Sequence, residues 1–361
     1  MPTRRDFIRN MAMSSIVLPI GMQFPKAKAQ KLRVALVGLG RYARLLADAI
    51  MVSSHCELKG LVTGTPSKEE EWGKKYNVPK RNIYNYQNFD EIASNKEIDL
   101  IYIVLPNGMH MEYAVRAAKA GKHVMVEKPM ATNAADCKVI IEACEKAGVQ
   151  LGVGYRLHFE PYNMEMMRLG QEKVLGEVRL VDASLGYNIE QTDPNDWHLN
   201  KKLAGGGALQ NLGVYCVQAA RYITGLEPVS VKAEYGPKHF PELFKEVEET
   251  LYWQLHFENK AVATSTASYV YGIDRLYASA SQGHFELSPA ISYGPFRGRS
   301  NQAEFDFPQT NQQQVQMDKI AQYILAEKPL PDHISGYEGL RDLKVMDAIY
   351  RAAETGKRVS I

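Results

Sequence analysis

The feature that most restricts the fold lies between residues 32 and 52. An apolar run, Leu32-Arg33-Val34-Ala35-Leu36-Val37, enters the turn Gly38-Leu39-Gly40-Arg41-Tyr42-Ala43 and then a helical stretch, RLLADAIMV. A strand that delivers a GxGxxA turn into a helix has the parts of a dinucleotide site. Glycines let the backbone approach a pyrophosphate, and the helix amino end offers it unpaired N–H groups. Alone the motif is weak evidence, but strand and helix signals keep alternating after it. A second strand, Leu58 to Val62, is followed by Asp99 to Pro106 (DLIYIVLP), a helix from Met111 to Ala120 and a strand from His123 to Val126. A helix (AADCKVIIEACEKAG) and a strand (VQLGVGYR) close the series near Gly154. This alternation specifies an α/β class, a doubly wound parallel sheet over residues 30–154.

The end of the second strand bears on the choice of nucleotide. A free ribose 2′-hydroxyl is usually met there by Asp or Glu, whereas this chain reads Val62-Thr63-Gly64-Thr65-Pro66-Ser67-Lys68. Thr63, Thr65 and Ser67 can donate hydrogen bonds, and Lys68 and Arg41 are counter-charges for a 2′-phosphate, so NADP is favoured over NAD. For Lys68 the alternative is the start of a solvated helix, SKEEEWGKKY. Further cofactor contacts are expected at Tyr84, at Leu105, Pro106, Asn107 and His110 on the loop after the third long strand, and at Glu127. Lys128 follows directly in Val126-Glu127-Lys128-Pro129, where a parallel strand ends and a ligand sits.

Nothing in the composition calls for a nucleic acid or a membrane span. The 361 residues are 45% hydrophobic and 23% charged, ordinary for a soluble chain of about two domains. No apolar run reaches the ~20 residues a membrane helix needs. Residues 1–29 read as a targeting segment: Arg4-Arg5, an apolar stretch from Met11 to Met22, then Ala27-Lys28-Ala29 with small residues at the cleavage positions. Removing them takes away five Lys/Arg and one Asp, which moves the formal charge from +2 to −2. The expected partner of this segment is the twin-arginine export machinery, and the expected location is the periplasm. Cys56, Cys137, Cys144 and Cys216 have no metal-ligand spacing. Cys137 and Cys144 are seven apart on an expected helix, about 10 Å, too far for a disulfide. Free thiols are expected, with a bond from Cys56 or Cys216 left open, and no metal is expected.

From about Arg33 to the C-terminus the chain resembles the glucose-fructose oxidoreductase branch of the Gfo/Idh/MocA sugar dehydrogenases. The blocks that carry the likeness include GLGRYA, VTGTPSK, YIVLPNGMHMEYAVRAAKAGKHVMVEKPMAT, GYRLHFEPYN and NDWHLNKKLAGGGALQNLGVYCVQAARYITGLEP. The resemblance implies a second, α+β domain over residues 155–361 with a large, mainly antiparallel open sheet. It also implies a substrate between that sheet and the nicotinamide, a last helix packed back on the nucleotide domain, and a dimer or tetramer. Strand-like segments at Val178–Tyr187, Val229–Tyr235, Thr250–Phe257, Ala261–Ser268 and Arg275–Ala280, and helical ones at Gln313–Glu327 and Tyr337–Thr355, agree.

Carried onto this chain, the resemblance makes Lys128 the group that hydrogen-bonds the reacting sugar hydroxyl and Tyr215 the group that takes its proton. A phenol titrates near ~10, so the expectation is that Lys128 and an oxidised nicotinamide lower the pKa of Tyr215. Asn211 stands where relatives have an Asp, and an amide can orient a hydroxyl but carries no charge or proton. Tyr155 is expected at the substrate, and Arg156, Trp197 and His198 at the cofactor, with His198 replacing a fixed cation by one that titrates. The expected function is hydride transfer between a sugar and a tightly bound NADP. An exported enzyme has no nicotinamide pool to exchange with, which favours a ping-pong cycle. Glycoside cleavage through a transient keto sugar is the alternative, and a sugar-binding homologue weakened at Asn211 a further one.

Overall fold

A computed structural model describes residues 30–189 and 193–361; the twin-arginine segment and its expected cleavage site lie outside the described residues. Lys31 to Ile361 form one body containing two sheets. The first half runs β1 (Leu32–Val37), α1 (Arg41–Val52), β2 (Cys56–Val62), α2 (Pro66–Lys75), β3 (Ile83–Tyr84), β4 (Leu100–Ile103), α3 (His110–Lys119), β5 (His123–Glu127), α4 (Ala134–Ala147) and β6 (Leu151–Gly154). All six strands pair in parallel in the order β3-β2-β1-β4-β5-β6. Helices cover both faces of such a sheet, so its strands read as continuous apolar runs, and β4 is buried at every position. The helices show the complementary pattern. In α1 the buried residues are Ala43, Leu46, Ala47, Ala49 and Ile50, one stripe at helical spacing. The strand order reverses between β1 and β4, which opens a crevice at their carboxyl ends, where ligands of this architecture bind.

The second half continues with α5 (Pro161–Gln171), β7 (Val178–Gly186), α6 (Lys201–Ala204), α7 (Val214–Thr224), β8 (Pro228–Tyr235), β9 (Thr250–Phe257), β10 (Val262–Ser268), β11 (Ile273–Ala280), β12 (Gly283–Leu287), β13 (Gly298–Ser300), α8 (Gln312–Leu325), α9 (Gly336–Thr355) and β14 (Val359–Ser360). Its eight strands lie in the order β13-β12-β11-β7-β10-β9-β8-β14. Only β7 and β10 pair in parallel among the described strands; the other neighbours are antiparallel. Burial alternates along β9 and β10, which leaves one face packed and the other open. Leu251, Trp253, Leu255 and Phe257 of β9 are all buried, and α5, α7 and α9 pack against this sheet.

Two helices tie the halves together. The last, α9, packs on α4 and β6 as well as on β8 and α7, while α8 returns to α1 and to the turn after β6. The first of these contacts was expected and the second was not. All four cysteines are free and buried. Among the described residues no helix is long and apolar enough to cross a membrane.

Candidate active site

The nucleotide turn has the shape its sequence calls for. Gly38 sits at φ +88°, and a Cβ there would stand 2.6 Å from the carbonyl oxygen of Val104. Gly40 stands at the N-cap of α1 with no side-chain cap, no acidic residue follows in the first turn, and the space around its missing Cβ is open. The helix therefore offers uncapped N–H groups to an anion across a gap that a side chain would fill, and these residues fit a pyrophosphate. Arg41 and Tyr42 are the first two residues of α1, and Ala43 is buried beneath them.

At the end of β2 the Thr65 N–H donates to Thr63 Oγ1 at 3.2 Å, which fixes the turn around Gly64. Lys68 donates to the Leu39 carbonyl at 2.9 Å, so its ammonium is fastened to the rim of the glycine turn rather than left in solvent. Tyr84 requires a correction. It is buried in β3, with its hydroxyl accepting from Asn95, and it belongs to the sheet edge rather than to the cofactor surface.

Two other expected contacts turn out to position backbone. His110 is fully buried, its ring nitrogens 2.8 and 3.0 Å from the carbonyls of Leu105 and Pro129. Burial lowers its pKa to about 4, and the ring clamps the loop after β4 onto the turn after β5 instead of meeting a ribose. Asn107 is buried and donates to the Ala204 carbonyl at 2.8 Å, joining the same loop to the end of α6. Leu105 and Pro106 precede it, Leu105 buried and Pro106 partly so.

Glu127 ends β5 beneath the site, where its carboxylate accepts from the Tyr102 hydroxyl. A Cβ at Gly154 would run into both groups. Burial raises the Glu127 pKa to about 7 against the pull of Tyr102 and Lys128. The next residue, Lys128, enters a cis peptide to Pro129. Its ammonium donates to the Asn211 carbonyl at 2.9 Å and lies 4.7 Å from the centre of the Tyr215 ring. Burial lowers its pKa to about 8, with Glu127 opposing and Arg156 adding.

Tyr215 reaches this point through a segment that only glycine permits. Gly205 is at φ +83°, and a side chain at Gly207 would collide with the Glu248 backbone carbonyl. The buried Glu248 carboxylate accepts the N–H of Gly207 at 2.8 Å, that of Leu209 at 2.9 Å and the Tyr350 hydroxyl at 3.0 Å. A π-helical turn, Leu209–Gly213, then leads into α7, whose second residue is Tyr215. The Asn211 backbone carbonyl, and not its amide, meets Lys128; the amide donates to the Tyr187 hydroxyl at 3.2 Å.

The electrostatics of Tyr215 also differ from expectation. Burial raises its pKa, Arg156 pulls it down and Glu127 pushes it up, while the Lys128 amine lies 4.7 Å from the ring centre. Arg156 is 3% exposed, between the Tyr215 and Tyr293 rings, with its carbon 5.3 and 4.7 Å from their centres. Its neighbour Tyr155 points elsewhere. The Tyr155 hydroxyl donates to Asp342 at 2.6 Å inside a buried network that includes Arg221 and Gln218, so it is not a substrate contact. Trp197 stacks on His198 at 3.7 Å, and Asp196 accepts from the His198 backbone and lies 2.6 Å from its Nδ1. Burial lowers the His198 pKa, so the replacement for a fixed cation is a ring held by a carboxylate.

Sequence reasoning missed Tyr187, Tyr293, Asp196, Gln312 and Glu248. Tyr187 and Tyr293 are 45% and 53% exposed. The Tyr187 hydroxyl accepts from Asn211 and Tyr293 faces Arg156, so both flank the site. The one available signal was Asp196 directly before the Trp197-His198 pair. An amine of lowered pKa and a phenol thus meet beside a nucleotide turn, an arrangement that can hold and deprotonate a hydroxyl as its carbon loses hydride.

Residues 32–155 match the oxidoreductase family with an NAD-binding Rossmann fold, and residues 164–286 match the GFO/IDH/MocA C-terminal domain. The chain belongs to the Gfo/Idh/MocA family; it is an oxidoreductase that uses NADP or NAD. It is similar to the crystal structure of aldose-aldose oxidoreductase from Caulobacter crescentus, with 40% identity and a TM-score of 0.88 over 92% of this chain and 100% of that one. It is 28% identical to the NADP-dependent D-xylose 1-dehydrogenase of Haloarcula marismortui over 91% of this chain and 93% of that protein. Identity to the inositol 2-dehydrogenase of Rhizobium meliloti is 24%, over 91% and 99%.

Proposed function

We propose that this chain transfers hydride between a sugar hydroxyl and a resident NADP. The observation that carries the reading is the meeting of Lys128 and Tyr215, 87 positions apart in sequence, with 4.7 Å between amine and ring centre. The printed activities of the relatives, on aldoses, xylose and inositol, point to the same substrate class. Lys128 spends one N–H on Asn211 and has others to hold a sugar hydroxyl. Tyr215 takes that hydroxyl proton as general base and returns one in the reverse direction. The nicotinamide, when bound, accepts or supplies the hydride. Lys68 supports NADP over NAD, because its amine is held at the rim of the glycine turn and no carboxylate occurs from Val62 to Ser67.

The amino-terminal Arg4-Arg5 segment supports a periplasmic enzyme exported folded with its nucleotide. A captive nucleotide has to be restored in place, so the cycle is ping-pong: one sugar is oxidised and a second carbonyl reduced. Denaturing the purified protein releases the nucleotide for identification, and incubating the intact protein with an aldose tests the cycle. The reading expects NADP in the released fraction and paired lactone and alditol products. Protein without nucleotide, or a free sugar of unchanged oxidation state released from a glycoside, refutes it.

A further inference from the structure

Arg156 is a buried cation that has no carboxylate partner among the described residues. Among the described residues no acidic group lies within ion-pair distance of it, although the buried arginine of the neighbouring network, Arg221, has Glu227, Glu338 and Asp342. Burying a charge without an opposite one is costly, and such a charge persists where other groups stabilise it. Here Gln312 Oε1 and the carbonyls of Ile291 and Ser292 accept from its two outer nitrogens. Those carbonyls are themselves fixed, because the Asp274 carboxylate accepts the N–H groups of Ala290, Ile291 and Ser292 at 2.8–3.0 Å. The guanidinium is thereby locked between the Tyr215 and Tyr293 rings, and its Nε, buried, has no hydrogen-bond partner among the described residues. Five groups face the Tyr215 phenol: Glu127 from the end of β5, Lys128 from the turn after it, Arg156 from the turn after β6, Tyr42 from α1, and Tyr293 from the loop between β12 and β13.

We propose that Arg156 is a positioning residue for proton transfer: its guanidinium, fixed beside the Tyr215 ring and paired with no carboxylate among the described residues, is a charge that makes Tyr215 available as a phenolate. This rests on the oxidoreductase reading above and divides the work within it. Both cations lie over the Tyr215 ring, but Lys128 also donates to the Asn211 carbonyl and is left to hold the sugar hydroxyl, whereas Arg156 is locked in place by Gln312 and the Ile291 and Ser292 carbonyls. Burial and Glu127 both favour the neutral phenol, and Arg156 is the group that opposes them. The Asp274 and Gln312 contacts have a function in this arrangement, since they keep a long, flexible side chain from turning away.

The test uses the full chain with its nucleotide, in wild type, Arg156→Gln, Arg156→Lys and Gln312→Ala, each also combined with Tyr215→Phe. Two quantities are followed against pH: the rate at which an aldose reduces the bound nucleotide, and the ultraviolet phenolate signal of Tyr215, taken as the difference between each protein and its Tyr215→Phe counterpart. The expected result is that Arg156→Gln moves both the acid limb of the rate profile and the phenolate titration to higher pH by about 1–2 units. Arg156→Lys falls between Gln and wild type, and nucleotide content is unchanged. Gln312→Ala, which keeps the charge but loosens it, gives a smaller shift in the same direction and serves if Arg156→Gln does not fold. A uniform loss of rate with the Tyr215 titration unmoved overturns the proposal and leaves Arg156 a packing or cofactor residue. A titration that shifts in a protein whose nucleotide no aldose reduces supports the pairing and refutes the oxidoreductase reading.

Discussion

Lys128 and Tyr215 do different work, and the difference predicts how each fails. Tyr215→Phe removes the proton acceptor but keeps the ring that Lys128 and Arg156 pack over. It is expected to retain nucleotide and to slow aldose-driven reduction about 10²–10⁴-fold, measured by stopped-flow absorbance. Lys128→Ala removes the hydroxyl's hydrogen-bond donor and is expected to be at least as damaging. Away from the chemistry, His158 is buried, with Nδ1 2.7 Å from the His333 carbonyl and Nε2 unpartnered. Burial lowers its pKa to about 4 from an ordinary 6.5. A folded pKa below the unfolded one means that the folded state binds fewer protons, so the stability it contributes is present above about 6.5 and lost as pH falls toward 4. Between pH 7 and pH 5, wild type is expected to lose roughly 2 kcal/mol more stability than His158→Gln in urea unfolding.

At the scale of elements, the glycines act as spacers that bring backbone to ligand or to carboxylate. Gly38→Ala forces a side chain into a positive φ and against Val104. It is expected to lower nucleotide content in the purified protein before it affects folding. Glu248→Ala strips the acceptor from two buried N–H groups in the turn that leads to Tyr215. The expected cost is about 2–4 kcal/mol of stability by thermal or urea unfolding, with a fall in turnover at unchanged nucleotide content. The glycine turn and the strand alternation were legible in the sequence because they are local patterns. Glu248 was not, since it lies 41 positions from Gly207 and nothing local joins them. Tyr155 and Arg156 show a second limit. They are adjacent in the chain, yet one points to Asp342 and the other to Tyr215. Tyr84 and His110 failed as cofactor contacts for a related reason, because position at the end of a strand or in the loop after it says little about which side the side chain takes.

Over the whole molecule, the site exists only because the two sheets are held together. Lys128 comes from the end of one sheet and Tyr215 from a helix lying on the other; far later in the chain, α8 packs on the first sheet and on the turn after β6, and α9 packs across both sheets. The resemblance anticipated the second of these helices, whereas no periodicity in the sequence indicated that α8 would reach α1. The central claim is that these two side chains act on a sugar through a nucleotide the protein keeps. The most direct measurement adds an aldose to the purified full chain, with no nucleotide supplied, and follows the absorbance of reduced nicotinamide. The account predicts a signal that rises to a plateau no higher than the amount of bound nucleotide and is at least about 100-fold slower in Tyr215→Phe of equal nucleotide content. Bound nucleotide that no aldose reduces, or a Tyr215→Phe protein as fast as wild type, would contradict it.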